Sequence, residues 1–504
     1  MKFIAAFDIG TTSVKGILVS REARVYGEKS LSLATDYGTA DGRQTIEQNP
    51  EQWYAAVVRI ARDWWSSGVD PDDVELLVMS GQMQDCIPVD HRGMPVRPAM
   101  LYSDHRAAAQ AKELLDELGE AEIRRITGNH MDGSLVLPKL LWLKQREPET
   151  LERTACFLIS AKDYVIRRLT GRFATDPTSA ATAGMMELSS RQWRAEWLDR
   201  FGLNRQQLPE ILPTDAIAGH IMPEAAAATG FRQGTPVLCG VGDAGATTIG
   251  AGARVIGDMY AYLGTTGWVA GTTDRIGFSG GGVFHLAHPE PGMLIAIAPL
   301  TNAGNAHSWA LGIFGSSAEI SRDEAYDRLE SEMKGCDRAG SSVVFLPYLN
   351  GERCPVQDPL SSGSFIGLTS TTTKAEMACA VLEGVAMAMR QVMGLLTGGR
   401  SLRKLVLIGG GSQSRMWNQI FADITGAEVI VPQEAQYLPA LGCAAAGFVR
   451  LGWSADYGEF GRNWLEGQPA EHYIPDPRLR EVYRRKYSIY LRLYPALKDL
   501  FASG

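Results

Sequence analysis

Among 504 residues there are seven cysteines, Cys86, Cys156, Cys239, Cys336, Cys354, Cys379 and Cys443, odd in number, scattered, and nowhere in a CxxC pair. A disulfide framework and a thiolate zinc site are therefore not expected. Positive charge is not in excess. With 49 basic against 57 acidic side chains the net charge is −8, which removes the electrostatic footprint of a nucleic-acid or anionic-membrane binder. Long apolar runs are read as missing too: windows such as Met293–Leu300 fall short of the roughly 18 residues a bilayer-spanning helix needs. The short apolar stretch Phe3–Phe7 is cut by Asp8 before it could serve as a signal peptide. A cytoplasmic location is expected. The eight histidines include no HExxH, and no GxxxxGK[ST] occurs, so a P-loop route to nucleotide is excluded. The eleven tryptophans, among them Trp64, Trp65, Trp193 and Trp197, are read mainly as packing.

What is present is globular: 45% hydrophobic and 21% charged residues, in a chain long enough for two large domains of roughly 250 residues each. Helical stretches (Pro50–Trp65, Arg106–Leu118, Lys374–Leu396, Ser414–Thr425) alternate with buried-strand runs (Val74–Met79, Leu405–Ile408), an α/β pattern. The opening FIAAFDIGTTSVKGILVS reads as a hairpin, Phe3–Ile9 and Val14–Val19 around Gly10, Thr11 and Thr12. DMYAYLGTTGWVAGT repeats the plan 254 residues later, with Gly264, Thr265 and Thr266 at the turn. A second copy at half-length points to two similar domains facing a common cleft. The boundary is placed in the glycine-rich segment Gly245–Gly257, dividing the chain into 1–245 and 246–504.

The turn at Asp8, Gly10, Thr11, Thr12 and Ser13 offers a carboxylate suited to Mg²⁺ and amides and hydroxyls suited to phosphate; an ordinary hairpin in which Asp8 satisfies turn amides is the alternative. Gly240–Gly245 formally match GxGxxG, but Asp243 inside the loop would face a pyrophosphate, which argues against a dinucleotide. Asp243 either meets a ligand held between the domains or caps the following helix. Gly409, Gly410 and Gly411, after a strand, let a ring or phosphate approach the backbone, while Ser412 or Ser414 could cap the next helix. GQMQD (81–85) follows a strand where ligand-facing residues collect, or is a solvated loop. Tyr102 and Asp104 in LYSDHR pair an aromatic face with a carboxylate, as sugar sites do, or simply begin a helix.

In order along the chain, DIGTTSVKG, GQMQD, LYSDHR, GDAGA, LGTT, FLPYLNGERCP, GSFIGL and LIGGGSQS resemble the FGGY family of carbohydrate kinases, most nearly its xylulokinase-like and gluconokinase-like members. The resemblance implies two duplicated actin-like (ribonuclease H-like) α/β domains, sugar-binding then nucleotide-binding, with ATP and sugar meeting in the cleft. It makes Asp243 the catalytic base and Asp8 the residue that holds Mg²⁺. Thr11, Thr12, Ser13, Thr265 and Thr266 would face the phosphates, and Gly304, Ser308, Gly410, Gly411 and Ser414 the nucleotide. Gln82, Met83, Gln84, Tyr102 and Asp104 would line the sugar pocket, together with Asp243.

Gln84 stands where xylulokinases usually carry His, Ala244 where they carry Asn after the catalytic Asp, and Asp85 where a small residue is common. Lost hydrogen-bonding groups change discrimination. The expected acceptor is thus a ketopentose such as D-xylulose, the alternatives being another sugar, a polyol, or an aldonate such as gluconate. A small-molecule sugar is the expected partner, with no nucleic acid and no membrane, and a homodimer is left open. From other classes, an actin-like ATP-dependent switch leaves GQMQD without a task, and an NAD-dependent oxidoreductase rests on GxGxxG alone.

Overall fold

The computed structural model describes residues 1–40, 42–277, 282–315, 321–433, 435–467 and 469–502. Two seven-stranded mixed sheets organise it. In the first half these are β1 (Phe3–Ile9), β2 (Ser13–Ser20), β3 (Val25–Ser32), β4 (Val74–Gly81), β5 (Ile217–His220), β6 (Pro236–Leu238) and β7 (Val241–Gly242). In the second they are β8 (Met259–Leu263), β9 (Gly267–Thr273), β10 (Phe284–Ala287), β11 (Leu294–Leu300), β12 (Lys404–Ile408), β13 (Glu428–Pro432) and β14 (Ala470–Tyr473).

The first sheet runs β5-β6-β4-β1-β2-β3, with β7 also on β4; the second runs β10-β11-β9-β8-β12-β13-β14. Both have an antiparallel meander (β1–β2–β3; β8–β9–β11) continued by parallel strands (β4, β6; β12, β13). The half-length repeat of the Gly-Thr-Thr turn is thus a repeat of topology, and the expected duplicated actin-like α/β fold is what the chain adopts. Both expected hairpins form, with β1 and β2 in register from Phe3↔Ser20 to Ile9↔Val14.

Helix α1 (Glu51–Ser66) shows why the elements hold. Trp53, Ala56, Val57, Ile60, Ala61 and Trp64 recur at helical spacing and are all buried against Phe7, Leu18 and Leu77, and burial of each large apolar side chain stabilises by about 1.5–3 kcal/mol. Helix α2 (Val136–Arg146) is buried from Val136 to Leu143, including Lys139. The glycine-rich segment Gly245–Gly257, where the boundary is placed, starts inside α3 (Asp243–Gly250). In the second half come α4 (Gly304–Phe314), α5 (Lys374–Thr397), α6 (Arg415–Thr425) and α7 (Leu438–Arg450). Helix α5 corrects one expectation: its 24 residues are long and apolar enough to cross a bilayer, by length and composition. Alanine and methionine made the run hard to see as apolar. Most of that window is buried, and the helix fills the second core alongside Leu263, Val344 and Trp417.

Helix α7 belongs to the second half in sequence but packs on the first sheet. Ala440, Leu441 and Ala444 share a core with Ile4, Ala6, Leu76 and Val78, and the Cys443 thiol donates to Phe7 O at 3.6 Å. It also crosses α3 at backbone contact. A Cβ on Gly442 would sit 1.8 Å from Ala246 O, and one on Gly250 would sit 2.4 Å from Leu438 O. A second tie joins the halves at β10: Asn129 exchanges two hydrogen bonds with the His285 backbone, at 2.7 and 2.8 Å, and Thr178 Oγ1 donates to Ala287 O at 2.7 Å.

Candidate active site in the cleft

Strands β1, β4 and β7 end side by side, since Asp8 pairs with Ser80 and Gly242 with Gly81. Carboxyl ends of adjacent strands are where α/β sheets gather ligands. Asp8 sits at the end of β1, buried, with Oδ1 lacking any hydrogen-bond partner. Burial lifts its carboxyl above the ordinary range, against the pull of Lys15 and Ser80. Asp243 is the first residue of α3, half-buried. Its carboxyl is pushed up to about 7, first by burial, then by the charge of Asp8, against the stabilising Ala244 amide. Asp243 thus opens the helix without capping it, since the N-cap is Gly242 and no side chain makes a cap hydrogen bond, and the Asp243 charge interacts with that of Asp8.

Two carboxylates with an orphan oxygen between strand ends suit a hard divalent cation. Among the described residues no group of three or more His, Cys, Asp or Glu forms a cage.

The GQMQD segment leaves β4 directly into this edge. Gln82 is buried, and its amide ties the turns together: Oε1 accepts from Thr11 Oγ1 at 2.8 Å and Nε2 donates to Gln48 Oε1 at 3.0 Å. Gln48 in turn donates to Thr11 O and Thr35 Oγ1. Met83 lies over Gly242, where an added Cβ would come within 2.0 Å of its sulfur. Gln84 has φ of +66°, a left-handed conformation uncommon outside glycine. Helix α2 and the turn before it hold it there: Lys139 Nζ donates to Gln84 O at 3.0 Å and to Leu101 O at 2.7 Å, and Gln84 Nε2 donates to Ser134 Oγ. Burial brings the Lys139 ammonium down to about 8, against the opposing charge of Asp85. Asp85 is fully buried; Oδ1 accepts from Tyr102 N at 3.2 Å, Oδ2 has no partner, and burial holds its carboxyl well above the usual range.

Tyr102 is 45% exposed and presents its ring to the cleft region, close enough to Asp243, Asp85 and Tyr262 for their charges to interact. Asp104 requires a correction. Expected beside the sugar, it is fully buried with its carboxylate occupied by the Arg106 guanidinium and by Ile46 N at 2.7 Å. Burial alone would raise this carboxyl, but the Arg106 and Ile46 hydrogen bonds hold it below the ordinary range. It fixes the loop that carries Tyr102; sequence spacing could not reveal Arg106 as its partner.

In the second lobe, the Gly264–Thr266 turn is closed by Gly264 N donating to Thr266 O at 3.0 Å, with Thr265 and Thr266 exposed. Gly10 N donates to Ser13 O at 3.1 Å in the equivalent turn, leaving Thr12 exposed and Thr11 and Ser13 half-buried. The start of α4 docks on the second turn: Gly304 N donates to Gly264 O at 2.7 Å, and a Cβ at Gly304 would lie 2.4 Å from that oxygen. Ser308 one turn on bonds Gly304 O and Tyr326 OH. The three glycines after β12 do different things. Gly409, at φ +97°, and Gly411 press on Leu263, whereas a Cβ at Gly410 would meet nothing within 4 Å. Ser414 caps α6, its Oγ accepting from Trp417 N at 3.0 Å.

Several site-building residues were not singled out from sequence: Gln48, Ser134 and Lys139, and the stacked pair Tyr262 and Trp268, whose ring centroids are 3.9 Å apart. Lys139 alone carried a readable signal, a single cation within the apolar run VLPKLLWL.

The model of the FGGY family of carbohydrate kinases, N-terminal domain, matches residues 3–250, and that of the C-terminal domain matches 259–451. The chain is 31% identical over 498 residues to a xylulose kinase of Escherichia coli, covering 98% of this chain and 99% of that protein. It is 28% identical over 504 residues to a gluconokinase of Bacillus licheniformis, covering 99% of this chain and 96% of that protein. The crystal structure of ligand-bound xylulose kinase from Lactobacillus acidophilus superposes with a TM-score of 0.88 at 25% identity, over the whole of both chains. With both domain models matched in order over two lobes of repeated topology, this chain belongs to the FGGY family of carbohydrate kinases and uses ATP to phosphorylate a sugar.

Proposed function

We propose that the acceptor is a ketopentose of the D-xylulose type, bound by residues within 1–245, and that residues within 246–504 bind ATP. The reading rests on one arrangement: Asp8 at the end of β1 and Asp243 directly after β7, two strands that both pair with β4, from whose end the GQMQD segment leaves. Asp243 orients the acceptor hydroxyl and takes its proton as the bond to phosphorus forms. A carboxyl near 7 is matched to that task at neutral pH, because a general base works best with a pKa close to the working pH. Mg²⁺ held at Asp8 would offset charge on the transferring phosphoryl group. Exposed Thr12, Thr265 and Thr266 offer hydroxyls and amides to the phosphates, and Gly410 leaves the nucleotide room. Gln84 and Tyr102 present polar and aromatic faces to the sugar. The enzyme then acts in the cytoplasm, on a soluble metabolite.

The gluconokinase likeness keeps an aldonate as second reading. An ADP-release screen over D-xylulose, other ketopentoses, pentitols and D-gluconate tests the assignment. Sugar-dependent ADP release strongest with D-xylulose is the expected result; release indifferent to every acceptor would refute it.

A further inference from the structure

Away from the cleft, the second lobe holds a cavity of about 430 Å³. It lies at the start of β8, where Met259 pairs with Gly271, whereas the Gly264–Thr266 turn follows the other end of that strand. At about 3.3 Å per residue the two are roughly 15 Å apart, so the cavity is no part of the catalytic cleft. Its size suits one small metabolite. Met259, Ala296, Leu396 and Leu402 give it an apolar wall for a carbon skeleton. The polar lining is mainly cationic: Arg275 and Arg400, both exposed, stand with the hydroxyls of Thr273, Thr397 and Ser401 against a single acid, Asp274.

Among the described residues neither guanidinium has a carboxylate partner, and Arg400 uses only Nε, donated to Thr397 O at 3.2 Å. The carbonyls ending α5 would repel an anion, but Gly398 N and Gly399 N also donate back to Leu395 O and Gly394 O, so that end is capped. Two guanidiniums with nearby hydroxyls match the charge and geometry of a phosphate group. The cavity also touches the tie between the lobes. His285 is in its wall, paired with Ala296 of β11; its backbone exchanges two hydrogen bonds with Asn129, and its Nδ1 donates to Gly128 O at 3.0 Å. A ligand that needs this wall in place favours the tied arrangement of the lobes by as much as its affinity for the alternatives differs.

We propose that this cavity is a second binding site, for a small phosphate-bearing metabolite held by Arg275 and Arg400, and that its occupancy is coupled through His285 and Gly128–Asn129 to sugar binding in the cleft. The coupling rests on the sugar-kinase reading; the binding does not.

The test titrates the full chain with glucose 6-phosphate and, separately, inorganic phosphate by calorimetry. Arg275→Ala and Arg400→Ala each weaken binding by about tenfold or more, the scale of a lost charge-assisted contact, with kcat and both KM values unchanged when no phosphate compound is added. Arg403→Ala, which removes an exposed arginine outside the lining, leaves binding within about twofold. Glucose 6-phosphate shifts the D-xylulose Kd about fivefold or more, and D-xylulose shifts the glucose 6-phosphate Kd by the same factor; the Arg275→Ala, Arg400→Ala double variant shows neither shift. Arginine-dependent binding of inorganic phosphate as tight as that of the ester assigns the site to free phosphate, and weaker binding assigns it to phosphate esters. The inference is overturned if neither probe binds below about 10 mM, if the arginine variants bind as wild type does, or if the sugar Kd does not move. Should wild type release ADP indifferently to every acceptor while arginine-dependent binding persists, the kinase reading fails and the site remains.

Discussion

Gly442→Ala places one methyl group where two helices touch. The added Cβ meets Ala246 O at 1.8 Å, its carbonyl carbon at 2.7 Å and Gly250 N at 2.9 Å, all backbone atoms. No side chain can rotate away. Restoring an ordinary contact requires α3 and α7 to part by roughly 1.5 Å. Helix α7 cannot retreat, because Gly447 already lies against Ile4 and Leu76, where a Cβ would be 2.8 and 3.1 Å away. Movement falls on α3, whose first residue is Asp243. Overpacking of this kind costs about 3 kcal/mol or more, against a helix-propensity gain near 1 kcal/mol for replacing glycine. A displacement of about 1 Å at the reacting group lowers kcat on the order of 100-fold. Urea unfolding read by tryptophan fluorescence gives the stability change, and sugar-dependent ADP release gives kcat. Gly410→Ala is the matched control, since its Cβ meets nothing within 4 Å: stability should stay within about 0.5 kcal/mol while the ATP KM rises. A Gly442→Ala protein with wild-type midpoint and wild-type kcat would refute the packing account.

Asp243→Asn should reduce phosphoryl transfer at least about 1,000-fold with the ATP KM little changed; sugar-dependent turnover near wild type would remove Asp243 from its role. The same variant should be the more stable protein at pH 8. With the native carboxyl raised from 3.8 to about 7, the folded state holds a proton that the unfolded state has released between those pH values. Stability is therefore lost as pH rises from about 4 to 7, by at most roughly 4 kcal/mol, and the advantage of Asn should vanish near pH 4 in parallel urea titrations. In wild type, kcat/KM for the sugar should climb as pH rises through about 7, and a flat profile from pH 5 to 8 would contradict Asp243 as a base whose carboxyl is raised to about 7. Lys139→Met frees Gln84 O and Leu101 O and leaves Asp85 buried without its cation. About 1–3 kcal/mol of stability should go for each freed carbonyl, and in the folded fraction the sugar KM should rise about tenfold with the ATP KM steady; equal effects on both KM values would show general damage instead.

Periodicity carried the elements well because burial enforces it: Val74–Gly81 has five of its eight residues apolar, and α1 repeats Trp, Val and Ile on one face. The glycine-threonine turns were readable for the same reason, since few residues tolerate such corners. Partnerships were not. Asp104 and Arg106 are two residues apart, yet nothing local says that the guanidinium folds back to occupy the carboxylate. Likewise Lys139 meets Gln84 across 55 residues, and Tyr262 meets Met83 only because the lobes come together. Helix α7 was not read from the sequence, and its role as cover of the other half's sheet could not have been, because an alanine-rich face fits either.

That swap of allegiance has a cost during synthesis. The face of the first sheet formed by Ile4, Ala6, Leu76 and Val78 has no lid until Ala440–Ala446 have left the ribosome. At about 5–20 residues per second, the stretch from Gly242 to Arg450 takes roughly 10–40 s to emerge. Throughout that interval the nascent first half carries a bare greasy flank, so folding yield in the cell should depend on holdase capacity and translation speed more than the finished enzyme's thermal resistance would imply.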